Sequence, residues 1–72
     1  MYTGYWIEDR FIYGPTHSGR YWIEDGFIWG PRNSGKYWID ESGYVFGPNS
    51  SGRFWIQDGY LYGPSKNPPW IG

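Results

Sequence analysis

The chain has 72 residues, a net charge near −1, no cysteine, and six tryptophans, eight tyrosines and four phenylalanines, so that a quarter of it is aromatic. A chain of this length makes one domain with a small core. The missing thiols exclude a disulfide staple or a thiolate metal site, and the balanced charge argues against nucleic acid or an anionic membrane as the partner. No apolar run suits a membrane helix, and the opening MYTGYWIEDR lacks the basic and apolar regions of a secretory signal, which makes the cytoplasm the expected location.

In chain order, the first unit occupies residues 4–18 and reads YWIEDRFIYGP from Tyr5. Its two aromatic and β-branched runs flank Asp9-Arg10, where a two-residue turn is expected; Arg10 stands where a glycine would be easy, so the turn is strained or of another type. Gly-Pro and THSG follow as a connector in which proline cannot continue a ladder. The second unit, residues 19–34, repeats the phrase as YWIEDGFIWGP with Asp25-Gly26, the strongest short signal for a type I′ hairpin. The third, residues 35–51, reads YWIDESGYVFGP; its extra residue predicts a three-residue turn over Glu41–Gly43 with Gly43 left-handed. The fourth, residues 52–67, returns to FWIQDGYLYGP with a turn at Asp58-Gly59. Residues 68–72 repeat Trp-Ile at Trp70-Ile71, which predicts a closing segment in the form of a partial fifth strand joining the last unit to the first.

Pairing across each turn decides which side chains share a face, because successive strand residues point to opposite sides. In the second unit Glu24 opposes Phe27, Ile23 opposes Ile28, Trp22 opposes Trp29 and Tyr21 opposes Gly30. One face then collects Ile7, Ile12, Ile23, Ile28, Ile39, Val45, Ile56 and Leu61 beside Tyr5, Tyr21, Tyr37 and Phe54. The other collects Trp6, Trp22, Trp38 and Trp55 with Phe11, Tyr13, Phe27, Trp29, Tyr44, Phe46, Tyr60 and Tyr62, and carries Glu8, Glu24, Asp40 and Gln57 toward the tips. The aliphatic face is therefore the common core. Isolated hairpins are marginal in water, so the four must pack together. The end copies are no more polar than the middle ones, which favours ring closure over an open, capped stack. The expected fold is all-β: four hairpin repeats of about 16 residues in a closed arrangement of pseudo-four-fold symmetry, with no helix.

These four W-I-x-D-G-Φ-Φ-Φ-G-P copies, where Φ is apolar or aromatic, resemble the small bacterial proteins described as a four-fold β-flower. The likeness spans nearly the whole chain and implies a fold rather than an activity. A weaker similarity is to the choline-binding repeats of bacterial surface proteins, which build a Trp/Tyr cage between successive hairpins; those units are longer, lack the regular Gly-Pro and form open spirals.

Little in the sequence supports catalysis. His17 is the only histidine and sits in a polar connector; no metal-ligand cluster, phosphate loop or nucleophile motif is present, and no cofactor is expected. The aromatic rings have a structural reading, in which most pack between neighbouring hairpins, and a functional one, in which slots or an axial pocket remain at Trp6, Trp22, Trp38, Trp55, Tyr13, Trp29, Phe46 and Tyr62. Such a place suits a planar apolar or cationic small molecule through stacking and cation–π attraction. Two alternatives stand beside it: a self-associating or protein-docking module, which makes a homo-oligomer the partner, and a glycan-binding repeat protein. All seven acidic residues, Glu8, Asp9, Glu24, Asp25, Asp40, Glu41 and Asp58, fall at hairpin tips, while Arg20, Arg32, Lys36, Arg53 and Lys66 fall in or beside connectors. Turn chemistry and solubility explain this pattern, as does an anionic rim that draws cations, or complementary ends that let rings stack.

Overall fold

Each Asp-Gly step turns the chain through two left-handed residues, Asp25 and Gly26 at φ +54° and +81° and Asp58 and Gly59 at +53° and +82°. This is the mirror-image turn whose twist matches that of paired strands. Asp9 and Arg10 adopt the same conformation, at +50° and +71°, so the first hairpin keeps its siblings' turn and carries the strain of a non-glycine residue there. In the third unit the turn runs over Glu41–Gly43 with Gly43 at φ +91°, and the Asp40 carboxylate accepts from the Ser42 and Tyr44 amides at 2.9 and 3.0 Å.

The computed structural model describes residues 1–71. Its strands are β1 (Tyr2–Glu8), β2 (Phe11–Tyr13), β3 (Tyr21–Glu24), β4 (Phe27–Trp29), β5 (Tyr37–Ile39), β6 (Tyr44–Phe46), β7 (Phe54–Gln57) and β8 (Tyr60–Tyr62). Each pairs antiparallel with its neighbours in sequence, and β8 returns to β1, so the sheet closes as an eight-stranded barrel with no free edge. No helix occurs among the described residues. The expected registers are found: Trp22 faces Trp29, Ile23 faces Ile28 and Glu24 faces Phe27, with matching pairs in the other units.

Between hairpins one set of bonds recurs. The amide of the isoleucine that enters the next hairpin donates to a tip carbonyl: Ile23 to Arg10 at 2.8 Å, Ile39 to Gly26 at 2.7 Å, Ile56 to Gly43 at 2.8 Å and Ile7 to Gly59 at 2.7 Å. At the other end each connector folds back on the strand it leaves. Gly19, Gly35 and Gly52 donate to the carbonyls of Ile12, Ile28 and Val45, and the Ser18, Ser34 and Ser51 hydroxyls accept the Gly14, Gly30 and Gly47 amides.

Tyr5, Tyr21, Tyr37 and Phe54 fill the connector half of the interior beside buried Ile12, Ile28, Val45 and Leu61, while Ile7, Ile23, Ile39 and Ile56 are half-buried toward the tips. The glycine of each Gly-Pro lies flat against the ring opposite it; a β-carbon on Gly14, Gly30, Gly47 or Gly63 would fall within the rings of Tyr5, Tyr21, Tyr37 and Phe54 respectively.

Closure differs from expectation. Trp70 and Ile71 lie in a turn and not in a fifth strand, since Pro68 and Pro69 immediately before them lack the amides a ladder needs. Trp70 instead plugs the connector end of the barrel. It is fully buried edge-on to Tyr37 at 6.2 Å between ring centres, with its carbonyl accepting Asn33 Nδ2 at 2.9 Å. The seam is made by the start of the chain. Thr3 Oγ1 donates to the Leu61 carbonyl at 2.8 Å, and Met1 and Gly63 exchange two bonds of 2.9 Å. These atoms take the places that connector glycines and serines hold in the other units, and the extra residues are absorbed as a bulge at Gly4, φ +95°.

Candidate functional site

The second face of every hairpin points outward, and its rings form a belt around the barrel. The registers arrange them in four rows, three of them crossing four strands and one crossing three. In the first row Glu8 pairs with Phe11, Phe11 with Trp22 and Trp22 with Trp29. Glu24, Phe27, Trp38 and Phe46 make the second, and Gln57, Tyr60, Trp6 and Tyr13 the closing one across the seam. The third runs Tyr44, Trp55, Tyr62, with Asp40 occupied in capping its own turn. Each row thus begins at a polar or acidic tip and continues over three rings.

Adjacent strands hold these rings at stacking distance. Trp55 lies nearly parallel to Tyr62, at 5.7 Å and 12°, with Tyr44 tilted on its other side at 6.0 Å. Trp6 stacks on Tyr13 at 6.0 Å, Trp38 on Phe46 at 6.2 Å, and Tyr2 adds a ring beside Tyr60 and Tyr62 at the seam. Tyr13, Trp29 and Phe46 also rest against Gly19, Gly35 and Gly52, where an added β-carbon would come within 3.2, 3.0 and 3.4 Å of the rings. Trp29 Nε1 donates to the Glu24 carbonyl at 3.1 Å.

The expected residues are therefore brought together, but on the outside. Trp6, Trp22, Trp38 and Trp55 do not line an axial cavity, because the axis is occupied by the inner rings, the aliphatics and Trp70. Nor does the belt bury itself. Phe11, Phe27, Tyr44, Tyr60, Trp6 and Trp38 keep between 38% and 47% of their surface exposed, while Trp22, Trp55, Tyr13, Trp29, Phe46 and Tyr62 are half-buried. No concave pocket opens among the described residues. Phe11, Phe27, Tyr44 and Tyr60 are the members that sequence reasoning left out of the candidate site. Their signal was positional: each follows a turn, shares the tryptophan face, and lies beside the tip carboxylate of its own row where one is present.

This arrangement can hold a flat molecule against an open ring face. In the first two rows, Glu8 beside Phe11 and Glu24 beside Phe27 add a negative charge at the edge of the aromatic surface. No three His, Asp or Glu side chains converge as a metal site would require, and no helix is long and apolar enough to cross a membrane, both among the described residues. In comparisons with protein families, with characterised proteins and with solved structures, the chain matches none.

Proposed function

We propose that the protein is a non-enzymatic, cytoplasmic binding module whose outer aromatic rows take planar organic cations. The observation that carries this reading is the exposure of Phe11 and Phe27, each flanked by an indole on one strand and a carboxylate on the other. A ring face attracts a cation by about 0.5–1 kcal/mol at an exposed site. A neighbouring carboxylate adds a contribution of similar size, which salt screens. Each row is thus a weak site, and the barrel carries several, which suits a multivalent ligand better than a single tight one. The rows also offer Trp and Tyr faces between neighbouring hairpins, as the weaker resemblance, to choline-binding repeats, leads one to expect.

The test is a pair of probes of like shape, an N-methylacridinium ion and an acridine carboxylate, followed by tryptophan fluorescence. The cation is expected to quench saturably and to bind several-fold more tightly than the anion at low salt, with the difference shrinking as salt rises. Trp38→Phe keeps most of the area packed on Phe46 and should weaken binding while the fold persists. Linear quenching by both probes at all salt concentrations would leave the belt with a packing role only.

A further inference from the structure

The up-and-down topology sends all four hairpin turns to one end of the barrel and the connectors and the closing segment to the other. Charge follows that division. Every Asp and Glu side chain, from Glu8 to Asp58, is exposed at the tip end, with Arg10 as the one base among them; Arg20, Arg32, Lys36, Arg53 and Lys66 are exposed at the connector end. A molecule only 23 × 22 × 21 Å in extent therefore carries a strongly acidic rim and a strongly basic rim about one barrel height apart.

The ends also differ in how they are closed. Trp70 seals the connector end, which presents exposed Pro15, Pro31 and Pro48 from the repeated connectors. At the tip end the last inward residues are Ile7, Ile23, Ile39 and Ile56, which pack on the core yet stay half-buried. The acidic tip end, with half-buried isoleucines at its mouth, thus has a counterpart of opposite charge at the other end, where exposed prolines stand among cations. Both are built from the same repeating unit.

We propose that these ends dock on one another, the tip end of one copy seated on the connector end of the next. The occupant is a second copy because the same chain carries both halves of the charge pattern at the same unit spacing. The contact is heterologous, so it propagates as an open stack and does not stop at a dimer. An end face about 22 Å across offers on the order of 400 Å², about half of what each partner contributes to a standard interface, so each junction is weak and transient. Opposite charge supplies orientation and much of the attraction, and salt removes it.

This inference uses the barrel's ends and is independent of the aromatic rows. Sedimentation of the wild-type chain should show weight-average mass rising with protein concentration at low salt and falling to that of a monomer at high salt. Replacing Glu8, Glu24 and Glu41 by Lys gives a tip variant with its acidic rim neutralised. Replacing Arg20, Arg32 and Arg53 by Glu gives a connector variant with its basic rim neutralised. Circular dichroism should show both folded, and each alone should remain monomeric at every salt concentration. Mixed in equal amounts they retain one intact junction, so the mixture should stop at the mass of two chains. The connector variant leaves every row untouched and should still bind the acridinium ion, which separates failure of this proposal from failure of the binding reading. A wild-type mass that does not change with concentration or salt would overturn it, as would assembly that persists in both variants and at high salt.

Discussion

The phenol oxygen of Tyr21 is buried without a hydrogen-bond partner, while its counterparts in the neighbouring units are satisfied. Tyr5 Oη bonds Thr16 Oγ1 at 2.6 Å, and Tyr37 Oη reaches the Pro69 carbonyl and Asn49 Nδ2, both at 3.5 Å. Thr16, Arg32 and Asn49 occupy the same place after Gly-Pro, and in the second unit that place is taken by Arg32, which is exposed. The fourth unit avoids the problem with Phe54. A buried hydroxyl left unpaired costs about 1–3 kcal/mol. Arg32→Asn, which restores the partner, should therefore raise stability by about 1 kcal/mol, read as a higher urea midpoint at unchanged slope. Tyr21→Phe should be neutral or stabilising, in contrast to Tyr5→Phe. An Arg32→Asn variant no more stable than the wild type would mean that the hydroxyl is already satisfied. None of this is legible in the sequence, where THSG, RNSG and NSSG look like interchangeable polar connectors; only the inward path of the tyrosine ring gives the first of those positions a task.

At the scale of the hairpin, the turn sets the register, and the turn was legible. Asp25-Gly26 and Asp58-Gly59 fix two-residue loops, and alternation then decides which side each residue faces. Arg10 is the exception that measures the turn's preference. Its side chain is exposed and its carbonyl, which any residue supplies, accepts the Ile23 amide, so what distinguishes it from glycine is the cost of φ +71°. Left-handed backbone costs an L-residue about 1–2 kcal/mol, partly offset by the greater unfolded-state freedom of glycine. Arg10→Gly should therefore raise the denaturation midpoint by an amount worth up to about 1 kcal/mol; an unchanged or lower midpoint would reveal a compensating contact of the guanidinium. Exposure of the outer rings was not legible. Counting apolar residues suggests that nearly all of them are needed as packing, but in a barrel this narrow the inner side chains converge while the outer ones splay apart. Eight inner aliphatics and four inner rings fill the interior, and Phe11, Phe27, Tyr44 and Tyr60 are left with one face open.

For the whole molecule, the repeat predicted closure but not its means. Trp70-Ile71 copies the strand motif and so suggested a strand, whereas two preceding prolines turn it into a plug, and the seam falls to Thr3, which precedes the first repeat. Thr3 is buried, with its hydroxyl donating to the Leu61 carbonyl at 2.8 Å and accepting the Tyr5 amide at 3.2 Å. Thr3→Val keeps the volume and strands both groups, which should cost about 2–3 kcal/mol, while Thr3→Ser should retain most of the stability. A larger loss in Thr3→Ser than in Thr3→Val would show that the methyl group, and not the hydrogen bonds, holds the seam. There is also a consequence in time. Pairing within and between successive hairpins joins residues at most one repeat apart and the Trp70 plug reaches 37 positions back to Asn33, whereas the seam joins partners 58 and 62 positions apart in the chain. Distant partners meet last, after local pairing has shortened the effective loop between them. Interactions formed after the rate-limiting step act on the unfolding rate. In stopped-flow experiments Thr3→Val should leave refolding almost unchanged and hasten unfolding by roughly thirty-fold or more, the equivalent of at least about 2 kcal/mol. The lifetime of the native ring is then governed by one threonine at its seam, and the speed with which the ring assembles by the four turns.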